Sequence, residues 1–130
     1  MQSLAGRDFL SLLDFEPAAV GELVRRALAI KAGRELPDFR GQVAALLFFN
    51  PSVRTRVSCE SALARFGGTA IAIQPGKDTW TFEMEDGAVM DGSTQEHVRE
   101  LAPVLARMCH FIGIRKSDLI ASGAARGEAR

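Results

Sequence analysis

Residues 43–58, VAALLFFNPSVRTRVS, decide the fold, because an apolar run passes directly into a polar stretch with two arginines. The short continuous run at 43–49 fits a strand that is buried on both faces better than one that is half exposed. The polar stretch that follows is typical of the start of a helix, with Ser52 as a possible cap. The sequence therefore predicts a buried strand that leads straight into a helix.

The rest of the chain continues this alternation of helices and strands. Apolar residues at helical spacing predict a first helix at 17–31, with Pro17 near its start and Gly33 just past its end. The helix after the buried strand should run from Arg54 or Thr55 to Phe66, where Gly67 and Gly68 provide a left-handed cap. The β-branched segment at 69–73 predicts a second strand.

Beyond the second strand, residues 74–92 show no clear period and predict a long loop. Residues 93–96, Ser-Thr-Gln-Glu, match a capping box and predict a helix to about Met108, with Pro103 removing one hydrogen bond or kinking it. A third strand is predicted at 111–114. This order implies a parallel sheet with helices on both faces, an α/β three-layer sandwich.

Composition limits the classes of function. The chain has 130 residues, 47% of them hydrophobic and 25% charged, which fits one soluble globular domain. Lysine and arginine together number 16, as do aspartate and glutamate, so no general basic field favours nucleic acid. No apolar run is long enough for a membrane helix, and we expect a cytoplasmic protein. Cys59 and Cys109 lack metal-site spacing and are expected to be reduced packing residues.

Polar segments follow all three predicted strands: 52–56 after the first, 74–80 after the second, and Arg115 after the third. Carboxyl ends of parallel strands meet at one edge, where ligands of open α/β sheets bind. The amides at the start of the helix, with arginines nearby, favour an anion such as phosphate. The alternative is that Ser52 only caps the helix and that both arginines are solvated.

Other common sites are not supported by the sequence. Neither a Walker GxxxxGK[ST] loop nor GxGxxG after a strand is present. His97 and His110 have no convincing set of partner ligands, so we expect no metal and no cofactor. Trp80 by itself would be more typical of a core or interface residue than of a substrate contact.

The segment from Phe49 to Arg56, with Ser58 and Glu60, resembles the carbamoyl phosphate signature of the aspartate/ornithine carbamoyltransferase family. The runs QPGKDTW at 74–80 and VMDGSTQEH at 89–97 resemble the N-acetylornithine carbamoyltransferases within it. The resemblance extends to about Arg115. It implies a carbamoyl phosphate-binding domain at residues 1–115, and a poorly ordered or incomplete tail at 116–130.

The resemblance also implies roles for individual residues. Ser52, Arg54 and Thr55, with the backbone of Val53, would hold the phosphate, and Arg115 would reach the carbonyl side; Arg54 and Arg115 would be catalytic. Val53 stands where Thr or Met is more usual in the family. Trp80 would complete the amine pocket of a neighbouring subunit in a homotrimer.

The implied activity is transfer of a carbamoyl group to the side-chain amine of N-acetylornithine, in arginine biosynthesis. The alternatives are an ornithine or aspartate carbamoyltransferase fragment, or a non-catalytic module for anion binding or oligomerisation. The acyl group on the ornithine stays open. Because the family's second domain and its His-Pro-x-Gln segment are not found, we expect the 130-residue chain to be inactive alone, with a sheet that ends in an uncovered edge.

Overall fold

The computed structural model describes residues 4–117, which fall into two compact units divided between Pro37 and Asp38. The first unit contains a short 3-10 helix, Leu12–Asp14, and helix α1, Pro17–Lys31. Before α1, the rings of Phe9 and Phe15 stack with centroids 5.0 Å apart. The predicted bounds of α1 are confirmed. None of the helices in residues 4–117 is long and apolar enough to cross a membrane.

The second unit is built on a parallel sheet. In chain order its elements are β1 (Val43–Phe48), α2 (Val53–Arg65), β2 (Thr69–Ile73), β3 (Phe82–Glu83), β4 (Glu96–His97), α3 (Val98–Met108) and β5 (Phe111–Arg115). The main sheet has the order β2-β1-β5, and both pairings are parallel. β3 and β4 form a separate parallel pair. The predicted α/β fold with a parallel sheet is confirmed.

The central strand β1 provides most of the core. Its last five residues, Ala44 to Phe48, are all buried, which confirms the strand buried on both faces. Ala44, Leu46 and Phe48 form a cluster against which Cys59 and Leu63 of α2 pack. Alternate residues of a strand point to opposite faces, so Ala45 and Leu47 are buried on the other side of the sheet.

The end of α2 shows why two glycines follow it. Gly67 has φ +85°, and its N–H donates to the carbonyl of Ala64. The N–H of Gly68 donates to the carbonyl of Leu63 at 2.8 Å, which completes a Schellman cap. A Cβ on Gly68 would lie 2.9 Å from Cβ of Phe39, so the chain returns to β2 through a space that only glycine fits.

The connections define three layers. The chain leaves β1 through α2 to reach β2 on one side, then returns through α3 to β5 on the other side of β1. Right-handed crossovers in opposite directions place their helices on opposite faces of the sheet. β5 is an edge strand of this sheet, and its side chains of Phe111, Ile112 and Ile114 are 40–60% exposed. Within residues 4–117, β5 thus has a strand neighbour on one side only, which is β1.

The third helix begins later than predicted. Ser93 to Glu96 do not open it; α3 starts at Val98, and Nδ1 of His97 caps it by accepting from the N–H of Arg99 at 3.0 Å. The Thr94 hydroxyl donates instead to Glu83, and Glu96 pairs with Phe82. The helix continues through Pro103, whose missing N–H leaves one backbone bond unmade. The prediction for the tail, beyond Ser117, lies outside the described residues.

Candidate functional site

The carboxyl ends of β1, β2 and β5 lie at one edge of the parallel sheet, as the sequence predicts. β1 is central, so the segment 49–56 leaves the sheet between the segments that follow β2 and β5. The connections on the two sides of β1 run to opposite faces, which opens a crevice at this edge. The first turn of α2 is therefore in the position where ligands of such sheets bind.

The start of α2 is organised by Ser52. Its Oγ accepts from the N–H of Thr55 at 3.3 Å and donates to Oγ1 of Thr55 at 2.9 Å. Within residues 4–117, no hydrogen bond satisfies the N–H groups of Val53 and Arg54. Unsatisfied amides at the positive end of a helix dipole favour an anion. Val53 is 79% exposed, so a contact through its backbone does not depend on its side chain.

The two arginines of this turn have different environments. Nε of Arg56 donates to Oε1 of Glu60 at 3.0 Å, an ion pair one helical turn apart. Arg54 is exposed, and in the described part of the chain no hydrogen bond or ion pair engages its guanidinium. Of the two, Arg54 is available to an incoming anion, whereas Arg56 supports the helix. The alternative from the sequence was that both arginines are merely solvated, and the ion pair decides against it for Arg56 but not for Arg54.

Arg115 is brought to the same place from the end of β5. It pairs in register with Phe48, and its carbonyl accepts from the N–H of Phe49 at 3.0 Å. Its Nη1 lies 3.5 Å from Oγ1 of Thr55, a long contact between the two strand ends. Thr55 and Arg115 also line a cavity of about 140 Å³, together with apolar residues of β1 and β5. Ser52, Thr55 and Arg115 thus lie together.

Asn50 is a residue of this region that the sequence analysis did not select. Its Oδ1 accepts from the N–H of Ser117 at 2.5 Å, which links the segment after β1 to the segment after β5. Asn50 is the only asparagine of the chain and directly follows the apolar run. A side-chain amide at the end of a strand was the signal that could have identified it.

Trp80 belongs to a separate cluster in the loop after β2. Its indole N–H donates to Oε2 of Glu96 at 3.1 Å, and the side chain is 50% exposed. No hydrogen bond in residues 4–117 joins Trp80 to Ser52, Thr55 or Arg115. The role of Trp80 in an amine pocket stays a prediction.

The loop that carries Trp80 is held by charged side chains. Glu83 accepts from the N–H groups of Met84 and Glu85, and these donors hold the pKa of its carboxyl below the ordinary value. Nε of Arg99 donates to Asp86 at 2.7 Å, which lowers the pKa of Asp86. Nε2 of His97 lies 3.0 Å from the carbonyl of Glu85. The sequence analysis missed these contacts, because they join residues of a segment without periodicity.

No group of three or more His, Cys, Asp or Glu side chains suited to a metal ion occurs in residues 4–117. Cys59 and Cys109 are free and half-buried. The chemical resources of the site are thus a capped helix start, hydroxyl groups and two arginines. These groups can bind an anion and stabilise negative charge that develops near it.

Comparison with known proteins identifies the domain. Residues 7–128 match the family model described as aspartate/ornithine carbamoyltransferase, carbamoyl-P binding domain. N-acetylornithine carbamoyltransferase of Xanthomonas campestris is 42% identical over 109 residues, which are 84% of this chain and 32% of the relative. N-succinylornithine carbamoyltransferase of Bacteroides fragilis is 37% identical over 76 residues, 58% of this chain and 24% of the relative.

Solved structures agree with the sequence comparison. A crystal structure of acetylornithine transcarbamylase complexed with acetylcitrulline superposes with a TM-score of 0.79 at 42% identity. The match covers 84% of this chain and 33% of the solved chain. The chain thus spans about a third of the length of the relatives it matches. It belongs to the aspartate/ornithine carbamoyltransferase family and carries the carbamoyl-P binding domain of that family.

Proposed function

We propose that the chain binds carbamoyl phosphate at the start of α2. Ser52, Arg54 and Thr55, with the backbone N–H of Val53, hold the phosphate, and Arg115 contacts the carbonyl side. The observation that supports this most directly is the meeting of Arg115 with Thr55 at 3.5 Å, above a helix start with unsatisfied amides. A phosphate offers several acceptor oxygens to such donors, and arginine matches them with a planar fork.

In a complete enzyme, this site activates carbamoyl phosphate for attack by an amine. The nitrogen of the uncharged amine bonds to the carbamoyl carbon, and negative charge develops on the carbonyl oxygen. The bond from that carbon to the phosphate oxygen then breaks, and the departing phosphate takes one proton from the former amine. In this proposal Arg115 stabilises that oxygen, while Arg54 and the amides of α2 stabilise the departing phosphate. Donors that are already in place need no reorganisation during the reaction, so they lower the barrier.

The amine substrate we propose is N-acetylornithine, with N-acetylcitrulline as the product of a step in arginine biosynthesis. Support comes from the relatives that match 84% of the chain, which are N-acetylornithine carbamoyltransferases. N-succinylornithine, ornithine and aspartate carbamoyltransferases also match, over 52–86% of the chain. The acyl group on the ornithine stays open, because an N-succinylornithine carbamoyltransferase matches as well.

Assembly and location form part of the same proposal. We place the complete enzyme in the cytoplasm as a homotrimer, in which Trp80 reaches the amine site of a neighbouring subunit. The half-exposed indole, whose N–H donates to Glu96, is suited to a contact outside its own chain. The division into a domain at 1–115 and a tail at 116–130 remains part of this proposal.

Calorimetric titration of the 130-residue chain with carbamoyl phosphate, and separately with inorganic phosphate, tests the proposed function. We expect weak but measurable binding of carbamoyl phosphate that exceeds the binding of phosphate, because Arg115 adds a contact to the carbonyl. A non-catalytic anion-binding module would bind both without this preference. An oligomerisation module would bind neither, and either outcome would refute the proposal.

A further inference from the structure

The contact between Asn50 and Ser117 lies immediately beside the proposed site and has no role in it so far. β1 and β5 pair in register up to Phe48 and Arg115, and the N–H of Phe49 donates to the carbonyl of Arg115. The pairing of the two strands ends there, and Pro51 has no N–H with which to continue it. The side chain of Asn50 then accepts from the N–H of Ser117 at 2.5 Å, which extends the connection by one more bond.

The Asn50–Ser117 hydrogen bond restrains the backbone that follows Arg115. On the amino side, Arg115 is held by its pairing with β1, and the Asn50 bond ties the chain again two residues later. The Arg115 side chain is exposed, and within residues 4–117 the long 3.5 Å contact with Thr55 is the one hydrogen bond of its guanidinium. The position of its guanidinium therefore depends on how firmly the backbone on both sides is held.

We propose that Asn50 is a positioning residue that holds Arg115 over the first turn of α2. This inference rests on the proposed function, because Arg115 is the group assigned to the carbonyl side of carbamoyl phosphate. Among the described residues, no hydrogen bond joins Asn50 to Ser52, Thr55 or Arg115, so it acts through the backbone of Ser117. Its loss should therefore reduce the preference for carbamoyl phosphate over inorganic phosphate, while phosphate itself binds as before.

The variants separate positioning from a general effect on the fold. Asn50→Ala removes the acceptor, and Ser117→Pro removes the donor, so each should weaken carbamoyl phosphate binding by about 3- to 10-fold, as for one lost hydrogen bond. Asn50→Asp keeps an acceptor oxygen in place. The negative charge of the aspartate weakens the binding of both anions by a similar factor. Asn50→Asp should therefore keep the parent's ratio of carbamoyl phosphate affinity to phosphate affinity. In an Arg115→Ala background, Asn50→Ala should cause no further loss, because its effect passes through Arg115.

Two measurements decide the proposal. Calorimetry gives the ratio of the two affinities for each variant, and hydrogen exchange followed by NMR gives the protection of the Ser117 amide without any ligand. We expect faster exchange at Ser117 in Asn50→Ala, with the amides of Val43–Phe48 unchanged. If the Ser117 amide exchanges equally fast in Asn50→Ala and in the parent, the hydrogen bond between Asn50 and Ser117 is refuted. Faster exchange with an unchanged affinity ratio would overturn the positioning role.

The same measurements distinguish a failure of the proposed function from a failure of the positioning role of Asn50. If the parent chain does not prefer carbamoyl phosphate, the proposed function and the role of Asn50 in it are both refuted. The hydrogen bond itself is still supported or overturned by the exchange of the Ser117 amide. If Asn50→Ala does not fold, Ser117→Pro tests the same bond from its other end. A full loss of carbamoyl phosphate preference in Asn50→Asp would also contradict the proposal.

Discussion

Arg54 and Arg56 offer an internally controlled test of the anion site, because they are the same residue type in the same helical turn. The proposed function requires Arg54 to face the phosphate, whereas the structure pairs Arg56 with Glu60. Replacing each by alanine should therefore separate binding from stability. Arg54→Ala should remove most of the binding with little effect on the fold, and Arg56→Ala should do the reverse.

The magnitudes follow from the contacts that each side chain makes. A hydrogen bond to a charged group contributes about 1.5–3 kcal/mol, so Arg54→Ala should weaken carbamoyl phosphate binding about 10- to 160-fold. No hydrogen bond or ion pair of the Arg54 side chain within residues 4–117 is lost, and alanine is a good helix former. The free energy of unfolding should therefore change by less than about 0.3 kcal/mol. The Arg56–Glu60 pair is partly exposed, and its loss should cost about 0.3–0.5 kcal/mol.

The assay combines calorimetric titration with urea unfolding followed by circular dichroism, for the parent and both variants. Arg54→Lys adds a useful intermediate, because lysine keeps the charge but loses the planar fork. Its affinity should fall between those of the parent and Arg54→Ala. Equal affinity of Arg54→Ala and the parent would refute the site, and so would a larger loss of binding in Arg56→Ala than in Arg54→Ala.

Four further predictions follow from the described residues. Leu46→Ala should lower the free energy of unfolding, measured by urea titration, by about 2–5 kcal/mol, because Leu46 is only 8% exposed in the main cluster. As a control, Val89→Ala, at a site 77% exposed, should change it by less than about 0.5 kcal/mol. The pKa of Glu83 is lowered in the folded chain, so its ionised carboxylate stabilises the loop at pH values above the ordinary pKa of 4.5. This stabilisation is lost as the pH falls through the lower pKa of the folded state. An NMR titration of Glu83 with its midpoint at or above 4.5 would contradict the prediction. Trp80 is the only tryptophan, and its emission should shift to longer wavelength when any oligomer dissociates on dilution, whereas a constant emission through dissociation would count against a shared site. The 130-residue chain should form no citrulline-type product from ornithine or N-acetylornithine, because it spans about a third of its relatives, and turnover at an enzyme-like rate would overturn this expectation.

The parallel-sheet framework is predictable because its signals are local. The run at 43–49 is apolar on every residue, a pattern that is typical of a strand covered on both faces. α1 begins at Pro17, and α2 ends before two glycines, so backbone chemistry marks these limits directly. The meeting of Thr55 and Arg115 also follows, because parallel strands bring their carboxyl ends to one edge.

The region between β2 and α3 could not be predicted from local signals. Ser93 to Glu96 have the residues of a capping box, but Thr94 and Glu96 bond to Glu83 and Trp80 instead. The side chains that would have formed a local cap thus bond to residues distant in sequence, and the side chain of His97 caps α3 instead. The Asn50–Ser117 bond is equally invisible in the sequence, because its two ends are 67 residues apart.

A separation of 67 residues along the chain also determines when β1 and β5 can pair during synthesis. β1 receives its first partner, β2, after a single helix, but the bonds between Val43 and His110 that begin its pairing with β5 span 67 residues. At about 5–20 residues per second, the ribosome needs about 3–13 s to make that stretch. Throughout this interval, one edge of the most apolar strand in the protein has no neighbour, and it can pair with other extended chains. Slower translation between Phe48 and Phe111 lengthens this interval and increases the share of nascent chains that aggregate before the anion site can form.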